Sequence, residues 1–362
     1  MRTRSFLLTA TSVMISLFVP HICIASEPDS HLLSSSMLEL EIEFNGGHYT
    51  GLRVPGIDMN PLSWALTSEQ MPPNNKDGAP FKGHFLCLGR WGAPSDSEIA
   101  AGIPHNGEQS NTVWTVDKAT RQRVVMSNMA PLDGLGVMRT VNMLKDSPAF
   151  VVKETFTNTF SLGRVSNVVQ HVTIGPPFLN KSTLINSNSG KGFNQRFSYP
   201  DPHAHEYKWP AAVIDPSSKE AVDIRRTDAD INYVSTHLIQ EESDYGWITA
   251  YDPQSGLLLG YIWRTKEYPW INIWNHYKNG QPAAKGLEFG TTGIGRPYKD
   301  LLETDTRFHD INSWEYIDAG EQITKTYVGF LIDHGRNKPN PALSVTDSVI
   351  NLDGREFIKN PL

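Results

Sequence analysis

From Met37 to Phe44 the side chains alternate, with Leu38, Leu40, Ile42 and Phe44 on one face and Glu39, Glu41 and Glu43 on the other. A period of two is what a strand with one buried face requires, so this run predicts a half-buried strand. Asn45-Gly46-Gly47 then turns the chain. Similar β-rich runs follow at Arg123 to Met129, Val137 to Leu144, Phe150 to Thr157, Val165 to Ile174, Trp247 to Tyr251, Leu257 to Trp263 and Thr324 to Ile332. Pro, Gly, Asn and Asp clusters separate them, and no long amphipathic helix competes. Many short strands without intervening helices predict an all-β chain, a large antiparallel β-sandwich. Two stretches, Asn60 to Gly83 and Asn186 to Trp209, read as long loops, the places where a β scaffold tends to carry its ligand sites.

The N-terminus changes the domain count. Arg2 and Arg4 form a basic start, Phe6 to Val19 form an apolar stretch, and Cys23-Ile24-Ala25 offers small residues before Ser26. That is the pattern of a cleaved export signal over 1–25, leaving 26–362 as one sandwich domain of a secreted or periplasmic protein. A membrane anchor needs about 20 apolar residues. This run is shorter and is broken by Pro20 and His21, so no membrane anchor is expected. Loss of the signal leaves 30 basic side chains against 39 acidic ones, a formal charge of about −9. With no Lys/Arg run anywhere, nucleic acid is not an expected partner. Cys23 departs with the signal, so Cys87 stands alone and stability must come from the core rather than from a disulfide.

Several chemistries are missing from the sequence. It holds no phosphate-cradling Gly-x-x-x-x-Gly-Lys-Ser/Thr, no Gly-x-Gly-x-x-Gly, no Gly-x-Ser-x-Gly elbow and no His-Glu-x-x-His. Nucleotide-dependent and serine-nucleophile enzymes are unsupported, and no cofactor is expected. Three constellations remain. The first is Gly83 to Gly92 followed by Ile103 to Glu108, which places His84, Arg90, His105 and Glu108 in turn-rich chain suited to a hydroxyl-rich or anionic ligand. Arg90 and Glu108 could equally be an ordinary ion pair, and His84 a core residue. The second is His171, alone among apolar neighbours in Val168 to Ile174; alone, such a residue is more often a satisfied core histidine. The third is Glu288 inside Gly286-Leu287-Glu288-Phe289-Gly290, where burial would lift a carboxyl toward the range of a usable base. Trp270 and Trp274 lie just before it and could stack on sugar rings or pack in the core.

The His171 run, Leu287-Glu288 in its Gly-rich stretch and the turn His105-Asn106-Gly107-Glu108 together resemble the galactose mutarotase (aldose 1-epimerase) superfamily, whose sandwich also occurs in polysaccharide lyases. The resemblance runs over roughly Leu38 to Ile332. It implies a sugar site on the concave face, a general base matching Glu288 and a general acid matching His171, with His105 and Arg90 near the sugar. The chain departs from the epimerase pattern in lacking an early Asn-Arg and in following Glu288 with Phe289-Gly290-Thr291.

Two reactions use these tools. A mutarotase takes the C1 hydroxyl proton while protonating the ring oxygen. An eliminating enzyme removes a carbon-bound proton beside a uronate carboxylate, and a cation such as Arg90 or Arg296 stabilises the developing charge. Export favours elimination on uronic-acid-containing oligosaccharides, by lyase cleavage or loss of water as in ulvan degradation, because free sugars mutarotate unaided. The alternatives are an aldose 1-epimerase and a non-catalytic sugar binder, which would need Trp270 and Trp274 but neither Glu288 nor His171. In every case the expected partner is a sugar or oligosaccharide. Asp201-Pro202-His203-Ala204-His205-Glu206 has a spacing open to zinc or a harder cation if the loop folds back; His203 and His205 are read as sugar-binding rim, with plain surface as the alternative, and no metal is assigned.

Overall fold

The computed structural model describes residues 29–198, 201–215, 217, 220–227 and 230–362. The export signal expected over 1–25 lies outside these residues. Two antiparallel sheets dominate. The first has ten strands in the order Ser30–Ser34, Glu39–Glu43, His48–Arg53, His84–Leu88, Val168–Ile174, Gln281–Gly290, Trp270–Lys278, Tyr233–Ile239, Ser189–Asn194 and Tyr207–Lys208. The second has eight, in the order Leu184–Ser187, Tyr245–Tyr251, Leu257–Arg264, Gln322–Asp333, Ala149–Asn158, Leu135–Met143, Arg123–Ala130 and Thr115–Thr120. The chain is an all-β sandwich, and helices among the described residues are single short turns. None is long and apolar enough to cross a membrane.

The sheets pack face to face because alternate residues of each strand are apolar and share one side. Leu86, Leu88, Val172, Leu287 and Phe289 of the first sheet meet Val137, Val152, Leu259, Tyr261 and Tyr327 of the second in one continuous core. Phe289 stacks flat on Trp263 at 4.2 Å. The outer face of the eight-stranded sheet is covered by a C-terminal meander, whose Leu343, Ile350 and Ile358 pack on Trp247, Leu258 and Phe330. Within the core, Arg139 is paired with Glu154 at 2.6 Å and lies over the Trp114 ring, so the buried charge is balanced where it stands.

The runs expected to be strands are strands, with the Val165 to Ile174 run interrupted at Asn167. Two readings change. Asn186 to Trp209 is not one loop: it contains Ser189–Asn194, a strand paired with Tyr233–Ile239. The Gly-rich stretch around Glu288 is the end of a ten-residue central strand, Gln281–Gly290. Its glycines are there for close approach rather than for turning, since a Cβ at Gly290 would lie 2.8 Å from the Val168 carbonyl oxygen.

Candidate functional site

The face of the ten-stranded sheet turned away from the core carries a transverse row of side chains. The pairing that sets Gln170 against Phe289 sets His171 directly opposite Glu288. On one side His171 faces Phe85; on the other Glu288 faces Asn272, which faces Thr236. Cross-strand partners share a face, so one register line across five strands delivers Phe85, His171, Glu288, Asn272 and Thr236 to the same surface. Phe85 stacks on the His171 ring at 4.3 Å, and Thr236 donates to Asn272 Oδ1 at 2.7 Å.

His171 and Glu288 are in contact. Nε2 of His171 lies 3.3 Å from Oε1 of Glu288, Nδ1 lies 2.9 Å from Thr173 Oγ1, and Glu288 Oε2 accepts the indole N–H of Trp91 at 2.8 Å. Burial pushes the Glu288 carboxyl up to about 8, with the Trp91 bond opposing, and draws His171 down to about 3. Both shifts have the same cause and favour the uncharged forms, the neutral imidazole of His171 and the protonated carboxyl of Glu288. Gly286 makes room for it: a Cβ there would sit 2.5 Å from Glu288 Oε1.

Above the pair opens a cleft of about 610 Å³, the size for a sugar or short oligosaccharide. Trp64, Phe81, Phe85, Trp91 and Trp274 supply aromatic walls, while His105, Asn106, Gln195, His276 and Lys278 supply polar ones. Trp64 and Trp274 meet edge to face at 5.7 Å. His105 is positioned by Asn75, which accepts its backbone N–H and donates to its carbonyl, both at 2.9 Å. Burial, with the Arg90 charge nearby, lowers its imidazole to about 4. The turn that follows requires Gly107, at φ +84°, since a Cβ would strike the Leu88 carbonyl oxygen at 2.1 Å.

Of the residues singled out from sequence, Glu288, His171, His105 and Trp274 meet at this cleft. The others do not line it. His84 alternates to the opposite side of its strand and is buried in the core, within 3.0 Å of Gln170 and 3.3 Å of Tyr261. Trp270 is fully buried under the segment after the sheet and donates to the Asn312 carbonyl. Arg90 turns inward, donating to the Ala93 carbonyl and lying over the Tyr298 ring. Glu108 is spent on the backbone N–H groups of Leu132 and Asp133. Arg296 lines a smaller adjoining depression with Gln195 and Trp274. His203 and His205 are exposed and outside the cleft lining, which corrects their reading as sugar-binding rim. Sequence reasoning passed over Trp64, Trp91, Gln195, Asn272, His276 and Lys278. Only Trp91 carried a signal, standing between two glycines beside a candidate arginine.

No protein-family model and no curated protein sequence matches the chain. Solved structures do. A galactose mutarotase related enzyme from Lactobacillus acidophilus superposes with a TM-score of 0.61 at 9% identity, over 86% of this chain and 99% of that one. A galactose mutarotase-like protein from Lactobacillus casei superposes with 0.57 at 13% identity, over 84% and 100%. An Escherichia coli protein provisionally named an aldose 1-epimerase superposes with 0.57 at 12%, over 84% and 98%. The fold is that of the galactose mutarotase-like proteins, as the sequence resemblance implied.

Proposed function

We propose that this protein acts on a sugar ring by acid–base chemistry and that its reaction is the interconversion of aldose anomers. The observation that carries the reading is the 3.3 Å contact between His171 Nε2 and Glu288 Oε1 on the cleft floor. Ring opening of a hemiacetal needs a proton taken from the C1 hydroxyl and one given to the ring oxygen, and both oxygens are bonded to the same carbon. A donor and an acceptor in contact with each other suit that demand. The resting proton on Glu288 goes to the ring oxygen, and neutral His171 takes the hydroxyl proton. This reverses the roles implied by the sequence resemblance for the opening step. Closure runs with the roles exchanged, so the pair returns to its starting state with no net proton consumed. Aromatic walls at Trp64 and Trp274 suit the C–H faces of the sugar, and His105, Asn106 and Gln195 suit its hydroxyls. The named neighbours, mutarotase-like and epimerase, support the same reading.

A second reading, elimination on a uronate, keeps one structural support. Lys278 is exposed at the end of its strand and lines the cleft, where its ammonium could hold a carboxylate. Arg90, the cation first expected for that task, is turned away. Export, expected from 1–25, also fits action on external oligosaccharides. One experiment separates the readings: anomer exchange followed by polarimetry or NMR across a panel of aldoses, beside ultraviolet absorbance with acidic oligosaccharides. Exchange faster than the uncatalysed rate, lost in His171→Ala, supports the epimerase. A conjugated enoate signal without faster exchange overturns it for elimination. Binding with neither activity would leave a sugar-binding protein.

A further inference from the structure

Outside the cleft, two distant stretches of chain bring three ligand-type side chains together. His203 stands in the short turn Pro202–His205, Glu206 follows it, and His309 lies in the loop beyond the helix Tyr298–Glu303. Glu206 Oε2 is 2.7 Å from His309 Nε2 and 3.7 Å from His203 Nδ1, and one ligand atom from each residue lies within 4.8 Å of the others. We propose that these three residues form a divalent transition-metal site of the zinc class that clips the two stretches together.

The donor chemistry selects the ion. Two imidazoles and one carboxylate, with water in the fourth position, suit zinc, cobalt or nickel, whereas calcium and magnesium prefer oxygen donors. Tetrahedral coordination at the usual zinc–nitrogen length sets ligand atoms roughly 3.3 Å apart. The observed 2.7 and 3.7 Å bracket that value, and the side chains are exposed enough to rotate into it. Both imidazoles are also aimed. His203 packs on the Phe308 ring at 4.9 Å with its backbone N–H held by Asp201, and His309 sits at φ +49° on a turn that turns it toward Glu206.

Lys191 supplies the competition. Its ammonium lies 3.2 Å from His309 Nδ1, which places the ring proton on Nε2, where it donates to Glu206. A metal would take the Nε2 lone pair, move that proton to Nδ1 and displace the exposed lysine. The clip has a structural consequence. The first stretch continues from Gln195 and the second from Gly295, two residues that line the cleft and already touch through the Gly295 N–H and Gln195 Oε1 at 3.2 Å. Metal would tie the same two excursions a second time, steadying the cleft wall without entering the reaction.

The test uses the full chain, stripped with a chelator and dialysed, then titrated with Zn²⁺ by calorimetry and with Co²⁺ by visible absorption. One equivalent of Zn²⁺ should bind and raise the melting temperature. His203→Ala and His309→Ala should each weaken binding at least tenfold, Lys191→Ala should tighten it, and His205→Ala should leave it unchanged. Circular dichroism confirms that these surface variants fold. No binding of either ion, or binding indifferent to both His203→Ala and His309→Ala, would overturn the site whatever reaction the cleft performs.

Discussion

Trp91 donates its indole N–H to Oε2 of Glu288 at 2.8 Å, across 197 positions of chain. The bond favours the ionised carboxylate and so opposes the burial that raises Glu288 to about 8. Trp91→Phe keeps an aromatic wall and removes the donor. The Glu288 pKa should rise further, and the alkaline limb of kcat/KM, set by loss of the Glu288 proton near pH 8, should move to higher pH. A pH–rate profile superimposable on that of the parent would show that Trp91 only packs.

Under the proposed reaction, removing either member of the His171–Glu288 pair should cost turnover and not binding. Glu288→Gln and His171→Ala are each expected to lower kcat about 10²- to 10⁴-fold, with sugar affinity by calorimetry changed only a few-fold. Equal losses in affinity and turnover would assign the pair to binding alone.

Stability should carry the mark of the buried carboxyl. The folded pKa of Glu288 is raised, so this group's contribution is fully present below its unfolded value near 4.5 and is lost as pH rises through about 8. Glu288→Gln has no such loss and should gain on the parent between pH 5 and 9, by on the order of 1–3 kcal/mol. His171, with its pKa lowered, contributes the opposite slope at pH 3 to 6.5 in both proteins and largely cancels from the difference. Urea unfolding at pH 5, 7 and 9 measures the gap; a gap constant with pH would mean an unshifted carboxyl.

Gly286 should prove a position where a single methyl group displaces Glu288 Oε1. Gly286→Ala places a Cβ 2.5 Å from Glu288 Oε1 and 3.0 Å from Trp274 Cβ. The carboxylate has to move off His171, so activity should fall at least tenfold, the sensitivity expected when a reacting group is misplaced by about 1 Å. Unimpaired turnover would mean that the 3.3 Å contact is not the working geometry.

The core makes a separate prediction. Arg139 is buried against Glu154, donates to the Gly47 carbonyl and lies over Trp114. Arg139→Met removes the charged partner of the buried Glu154 carboxyl and should cost about 3–5 kcal/mol. Arg139→Met with Glu154→Leu should recover most of that loss in thermal unfolding, because no lone charge then remains.

Much of the architecture was written into the one-dimensional pattern. Alternation at Leu38 to Phe44, and the β-rich runs from Arg123 onward, fixed the strands because a half-buried strand has no other way to sort its side chains. The two residues of the pair were legible for a related reason: a lone imidazole at 171 and a lone carboxyl at 288 each stand among apolar neighbours. What alternation could not say is which strand lies beside which. Register put His171 opposite Glu288 and set Trp270 and Trp274 on the same face, where the segment carrying Ile294, Leu301 and Phe308 covers Trp270 and leaves Trp274 on the cleft. Loop paths took Arg90 and Glu108 away from the cleft, brought Trp64 and Trp91 to it, and carried His309 to His203 and Glu206. Local sequence sets the period and polarity of each segment; contacts between segments far apart in the chain are decided only when the whole core packs, and the site is made of those contacts.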